Sequence, residues 1–395
     1  MMFFLSVRLD NVYMFRDFFL DFTMTRRSSH FLAKHDALFA GSKIYVRKKL
    51  LILGANASGK TTFGRILCAI QNYLVGREMG TQINLLEKRY DQTKPGMFQV
   101  DFAIGEYAYR MRCVYDERGV KTEGLKVVKI FPSYTNKVLC KRLDDADYVT
   151  EYERPVNAPV PTILGKTGMV SSLLLRQENE TYLTKFRDGI QFSYIFSDFA
   201  STQSSLHLQE SVERLNHILP KIDNSVERIV SLKSEDSKLI SHSYVIVFKN
   251  GQQMTIPDGD LNRADRTRLS HGTYEALQFL DFLTNVKNNP EMVAFIDEQL
   301  AHLHAELEAY LIMKALLVQR NGQIFCTTHN PELLDLNIAP QMVLLFRRTE
   351  DGFNEALYVS DRIKKNDRGF KGYYDNDFFG VLPDYSVLDK YFEED

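Results

Sequence analysis

Apolar and polar side chains alternate through residues 3–23 (FFLSVRLDNVYMFRDFFLDFT), broken only at Asp10-Asn11. That two-residue period predicts a β-hairpin or meander. A polar, basic stretch over 24–48 reads as a loop. The short apolar run Leu50-Leu51-Ile52-Leu53 suits a buried strand. It ends in a glycine loop at Gly54, after which Phe63, Ile66, Leu67, Ile70 and Leu74 recur at helical spacing. Alternation returns over 98–150 and predicts a β-meander. The Pro-rich patch at 155–161 marks a connection, a helical segment leads to Gln177, and a polar region, 178–205, follows.

Leu208, Val212, Leu215, Leu219, Ile222, Val226 and Ile229 then stand at heptad spacing. Pro220 lies inside that run and predicts two short helices or one bent arm, projecting or packed on the domain. An Asn250-Gly251 turn between 244–248 and 253–256 predicts a hairpin. Helix 273–286, strand 292–296, helix 303–319, strand 323–327 and strand 342–347 then alternate as a βαβ core should. The expected organisation is an N-terminal lobe over 1–177, a helical insertion over 178–243 and a C-terminal lobe over 244–395.

Composition narrows the class. The 395 residues are 44% hydrophobic and 25% charged, which excludes bulk disorder and collagen-like structure. A net charge of −2 means that any nucleic-acid contact must be local rather than global. Four cysteines (Cys68, Cys113, Cys140, Cys326) without a CxxC pair argue against a disulfide framework or zinc site and for a reducing compartment. The apolar opening meets Arg8 and Asp10 too soon for a membrane helix and lacks the features of a signal peptide, so a cytoplasmic location is expected.

Four motifs carry chemistry. Gly54-Ala55-Asn56-Ala57-Ser58-Gly59-Lys60-Thr61 matches GxxxxGK[ST] between an expected strand and an expected helix. Its small residues let backbone N–H groups, through Thr62, curl around phosphate at the helix start. Lys60 is expected on the β/γ oxygens of ATP and Thr61 on Mg²⁺. The strand ending in Asp297-Glu298 can divide metal binding and water activation between its two carboxylates; alone, it would read as a solvated acidic turn. Ile324-Phe325-Cys326-Thr327-Thr328-His329 is a second strand with a polar end. Asn330-Pro331 looks like a helix cap, and His329 can reach a γ-phosphate. Leu269-Ser270-His271-Gly272-Thr273 opens a helix, and Ser270 with Gly272 offers a second anion site that can face another copy's P-loop.

This ordered set resembles the ABC-type ATPase head, a class that includes SMC and double-strand-break-repair ATPases. It is more similar to compact prokaryotic ABC-like ATPases, the OLD-like AAA group of abortive-infection and antiphage loci, and within these to the ATPase subunit of PARIS-type systems. NVYMFRDFFLDF, LILGANASGKTTFGRIL, LSHGTYEALQFLDFL, FIDEQLAHLHAEL, IFCTTHNPELLD and the tail YVSDRIKKNDRGFKGYYDNDFFGVLPDY carry the likeness, with 80–240 least matched. The resemblance implies an α/β P-loop NTPase fold, a mixed sheet lobe plus a parallel core with a short helical arm. It assigns Asp297 to the metal, Glu298 to the catalytic water, Ser270 and Gly272 to the γ-phosphate in trans, and His329 to sensing it. Gln177, in LLLRQENE, resembles a Q-loop that reaches Mg²⁺ or the attacking water. Departures fall at His271, Thr273, Ala305 and the D-loop Gln299-Leu300-Ala301-His302, which touch the trans contacts more than ATP binding.

The implied function is an ATPase whose ATP-driven homodimer, or a higher homo-oligomer, gates a separate effector, a nuclease or toxin. OLD nucleases fuse such a head to a Toprim domain. Here 66 residues follow His329, and the DxD strings at Asp145–Asp147, Asp258–Asp260 and Asp375–Asp377 follow no clear strand, so the effector is expected on another chain. The alternatives are a repair or SMC-like ATPase that clamps DNA and a non-cycling ATP-dependent scaffold. The basic clusters (Arg47-Lys48-Lys49; Arg263, Arg266 and Arg268; Lys364-Lys365) read equally well as solvated faces.

Overall fold

The alternating stretches become strands and the periodic ones helices, with differences confined to a few segments. The computed structural model describes residues 1–33, 35–77, 85, 87–156, 162–163, 166–167, 171, 180–196, 212–233, 242–260, 268–298, 300, 303–336, 338–363 and 370–382. Along the chain run β1 (Met2–Asp10), β2 (Phe18–Asp21), β3 (Thr23–Met24), β4 (Tyr45–Val46), β5 (Lys49–Gly54), α1 (Lys60–Leu74), β6 (Gly96–Ile104), β7 (Tyr107–Asp116) and β8 (Gly119–Lys129). Then come α2 (Asn136–Asp145), β9 (Tyr148–Glu153), β10 (Thr162–Ile163), β11 (Lys166–Thr167), α3 (Glu180–Gly189) and β12 (Phe192–Ile195). The remainder is α4 (Val212–Ile222), β13 (Val226–Lys233), β14 (His242–Phe248), β15 (Gln253–Ile256), α5 (His271–Asn288), β16 (Val293–Asp297), α6 (Ala305–Val318), β17 (Gln323–Thr327), β18 (Val343–Arg348), β19 (Asn354–Tyr358), α7 (Val359–Arg362) and α8 (Phe370–Asp375).

Two compact units result: residues 1–192, 291–295 and 320–395, and residues 193–290 and 296–319, so the division cuts β12 and β16. The first unit holds a six-stranded antiparallel sheet of order β2-β1-β6-β7-β8-β9. Its inward row (Val7, Val100, Met111, Leu125) is buried. β1 bulges at Leu5, and the N–H and C=O of neighbouring Phe4, still opposite Phe102, bond outside the sheet. The fully buried Gln323 of β17 answers both: Phe4 N–H donates to its Oε1 (2.6 Å) and its Nε2 donates to Phe4 O (3.2 Å).

The second sheet has order β12-β16-β17-β5-β18-β19, with β5 parallel to both β17 and β18 and β19 antiparallel to β18. Leu50 to Leu53 are wholly buried there, as expected of a strand covered on both faces. α1 is anchored through Phe63, whose ring lies 5.3 Å from Phe346 and 5.8 Å from Phe18. Gly64 lets the helix approach closely, since a Cβ there would come within 2.4 Å of the Phe295 ring.

The second unit corrects the helical-arm reading. α4 ends at Ile222, and Val226 and Ile229 lie on β13, in a three-stranded antiparallel sheet of order β13-β14-β15. The heptad spacing misled for a physical reason. A bulge between Val226 and Arg228 brings Val226 and Ile229 onto one face, opposite Phe248 and Ile246, so a strand imitates a helical stripe. Ser225 donates through its N–H (2.9 Å) and hydroxyl (2.6 Å) to Asp223 Oδ1, a turn that stops the helix. Pro220 is kept within α4, near its end, where it removes only one helical donor. Leu215 and Leu219 pack with Val226, Ile229, Tyr244 and Ile246 in one core, so this segment is part of a layered unit.

Other differences are smaller. The 98–150 meander is interrupted by α2, whose Leu139 and Leu143 cover Ala103 and Ala108. The polar region after 178 contains α3 and β12. Arg47-Lys48-Lys49 is no solvated face: all three are half-buried, and Arg47 stacks on Tyr358 at 3.7 Å and donates to Gln341 O and Asp21 O. Asp258–Asp260 does follow a strand, β15, but through a 3-10 turn in the antiparallel sheet. Among the described residues, no helix is long and apolar enough to cross a membrane.

Candidate functional site

β5 delivers the chain to a loop that only small residues can form. Gly54 has φ 149°, and a Cβ on it would lie 2.1 Å from Phe346 O of the neighbouring strand. Gly59 has φ 100°, where a Cβ would lie 2.4 Å from Asn354 Nδ2. Between them Ala57 takes the left-handed φ of 60°. Arg348 braces the loop from β18, its Nε donating to Ala57 O (3.0 Å), and Ser58 N–H donates to Ala55 O (3.3 Å). Asn56 and Ala57 are exposed at the crest, while Thr61 and Thr62 are half-buried in the first turn of α1.

Lys60 is only 4% exposed, and its ammonium donates to Gly54 O (2.8 Å) and Ala55 O (3.2 Å). A cation is therefore fixed against the loop main chain. The first turn of α1 itself carries no acidic residue, and its N-cap Gly59 offers no capping side chain, so the positive end of the helix dipole is left to other groups. Ser58 Oγ and Asn354 Oδ1 are buried beside this loop without a hydrogen-bond partner among the described residues.

β17 sits next to β5 in parallel register, Thr327 opposite Ile52, and Thr328 N–H continues the pairing to Ile52 O (3.1 Å). The turn after β17 thus emerges beside the turn after β5. Asn330 caps the following 3-10 helix (Pro331–Asp335), accepting from Glu332 N–H at 3.0 Å while its own N–H donates to Thr328 Oγ1 at 2.9 Å. These bonds fix the backbone on both sides of His329, whose side chain is exposed. The first unit therefore brings the P-loop and His329 to adjacent strand ends.

In the second unit, Asp297 ends β16 and is fully buried. Glu298 follows with φ 47° and Leu300 with φ 79°. Such left-handed conformations cost a non-glycine residue about 1–3 kcal/mol and collect at functional turns. Ser270 is the N-cap of α5: its Oγ accepts from Thr273 N–H (3.1 Å) and lies 2.6 Å from Thr273 Oγ1. Thr273 in turn donates to Asp223. Burial would raise the Asp223 carboxyl, but bonds from Ser225 and Thr273 hold it below the ordinary range. Ser270 and His271 stay exposed and Gly272 is buried. Gln177 and the D-loop residues Gln299, Ala301 and His302 lie outside the described residues. Sequence patterns missed Arg348, Asn354 and Asp223: each acts through a contact distant in sequence and sits in no motif.

The donor set fits a nucleotide polyphosphate. The loop has room only because two positions lack Cβ, and it presents an ammonium, a buried hydroxyl and an uncapped helix start. In the first unit the Thr61 hydroxyl is a hard oxygen donor of the kind Mg²⁺ prefers; in the second, by itself, the Asp297 carboxylate is another.

No protein-family model and no curated protein matches the chain. Among solved structures it is similar to an Smc head domain with an extended coiled coil bound to the C-terminal domain of ScpA from Pyrococcus furiosus, at 11% identity and TM-score 0.46, covering 92% of this chain and 98% of that one. It is similar to the SMC head domain from Thermotoga maritima, at 11% identity and TM-score 0.38, over 90% and 98% of the two chains. The recombination mediator RecF with ATP matches at 13% identity and TM-score 0.39, over 90% and 98%. At these values the sheet order and the P-loop, rather than the similarity, define the fold. It is α/β, a P-loop fold with a six-stranded antiparallel sheet and a mixed sheet whose centre is parallel.

Proposed function

We propose that the chain is a Mg²⁺-dependent ATPase that binds ATP between two copies of itself and so holds or releases a separate effector, a nuclease or toxin, in antiphage defence. The observation that carries this reading is the P-loop, with Lys60 fixed on the main chain beside the His329 turn. ATP is the substrate, its γ-phosphoryl group passing to water, and a bound Mg²⁺ would supply neutralisation of the charge that develops. Lys60 draws on the β/γ oxygens, and backbone N–H groups from Gly54 to Thr62, with Asn56, Ala57, Ser58 and Gly59 between, line the phosphates. Thr61, Asp297 and Gln177 would hold the metal. Glu298 takes the proton of the attacking water, and His329 senses the γ-phosphate. Ser270 and Gly272 of one copy face the nucleotide of the other.

The near-zero net charge favours a protein partner over a general DNA clamp, and the half-buried Arg47-Lys48-Lys49 run removes one cluster from any DNA-binding face. A pull-down in ATP with Glu298→Gln, which keeps binding but removes the base, tests it. A stoichiometric protein partner, released by the hydrolysing wild type, supports effector gating. Recovery of DNA alone supports the clamp instead, and a partner held equally by both forms supports a static scaffold.

A further inference from the structure

The outward face of the antiparallel sheet carries a cavity of about 530 Å³ that the ATPase reading leaves unused. Strand register lines up Phe19, Arg8, Gln99 and Arg112 across β2, β1, β6 and β7. The next row on that face is Asp21, Ser6, Asp101 and Arg110, and α2 forms a wall through Asn136, Cys140 and Asp144.

Most of the charge in the cavity is already matched. Arg110 clamps Asp101 with two bonds (2.7 and 2.8 Å) and also pairs with Asp144. Asp21 accepts from Thr23 N–H (2.8 Å), Thr23 Oγ1 (2.7 Å) and Asn136 Nδ2 (3.4 Å). Arg8 and Arg112 differ: both are exposed, and neither forms an ion pair among the described residues. Arg8 lies 5.1 Å from the centre of the Phe19 ring, which is itself 51% exposed. Two strand spacings set the arginine backbones about 10 Å apart with the Gln99 amide between them, a span that one anionic group can bridge.

The surroundings limit the ligand. Asp10 follows Arg8 on the same face, Glu151 lies in register with Arg112 through Gly124, and Asp144 is exposed at the wall. An extended polyanion would meet these carboxylates, whereas a compact anion would not. We propose that this cavity binds a small organic molecule bearing one phosphate or carboxylate, its anionic group held by Arg8, Gln99 and Arg112 and its apolar body against Phe19 and Met97. The volume is that of a small-molecule site. The site is separate from the P-loop and independent of the ATPase reading.

The test is fluorine NMR on the full chain with two probes, para-fluorophenyl phosphate and para-fluorophenylacetate, on wild type, Lys60→Ala, Arg8→Ala and Arg112→Ala. At least one probe should bind wild type and Lys60→Ala alike with a Kd of about 1 mM or tighter. Each arginine variant should weaken it about 10-fold, with Arg112→Lys in between. Preference for the phosphate or the carboxylate probe identifies the group. The proposal is overturned if neither probe binds wild type, if binding survives both alanine changes, if Lys60→Ala abolishes it, or if a single-stranded oligonucleotide displaces the probe at far lower concentration.

Discussion

The P-loop and the start of α5 are both helix N-termini suited to anions, yet they are built in opposite ways. The P-loop is held by main chain and burial. Glycines at positive φ let it approach β18 and β19, Arg348 braces Ala57, and Lys60 is sequestered on loop carbonyls. The α5 start is held by side chains: Ser270 caps Thr273, Thr273 donates to Asp223, and Ser270 and His271 remain at the surface. The first is preorganised and intolerant of added atoms. The second is a capped helix with Ser270 and His271 exposed, which is what the contact in trans proposed above requires.

The largest test of that contrast is Lys60→Ala. It should lower ATP hydrolysis at least about 1000-fold, a loss of about 4 kcal/mol, in a coupled phosphate-release assay, while circular dichroism stays unchanged. Gly54→Ala tests the backbone directly. The added methyl meets Phe346 O at a φ open only to glycine, so chemical denaturation should show about 3 kcal/mol of lost stability. Ser270→Ala should cost only about 1 kcal/mol, because one cap is lost. Ser270→Asn should restore the cap and the stability but not the activity. Recovery of full activity by Ser270→Asn would mean that Ser270 serves the helix alone.

The smallest effect is electrostatic. Burial lowers Lys49, at the head of β5, to about 8. The folded chain thus disfavours this charge; the penalty is complete below pH 8 and is relieved as pH rises toward the unfolded value near 10.4. Wild type should therefore gain stability relative to Lys49→Met between about pH 8 and 10 in paired urea titrations.

Much of this was legible in sequence because it is local. The run Leu50–Leu53, the glycine loop and the helical spacing after Thr61 specify β5, the P-loop and α1 together, and Asn330-Pro331 specifies its cap. What failed depended on pairing. Val226 and Ile229 imitate a helical stripe only because a bulge against β14 realigns them, and no one-dimensional pattern contains that partner. The roles of Gln323, Asn354 and Asp223 were hidden likewise, since each acts on a segment at least 50 residues away.

Whether ATP is held between two copies can be read from mass photometry of Glu298→Gln with and without Mg²⁺-ATP. Glu298→Gln should form a stable dimer, or a multiple of it, only with ATP, and lose it when Lys60→Ala or Ser270→Ala is added. A mass unchanged by ATP in Glu298→Gln, with nucleotide bound, would contradict it.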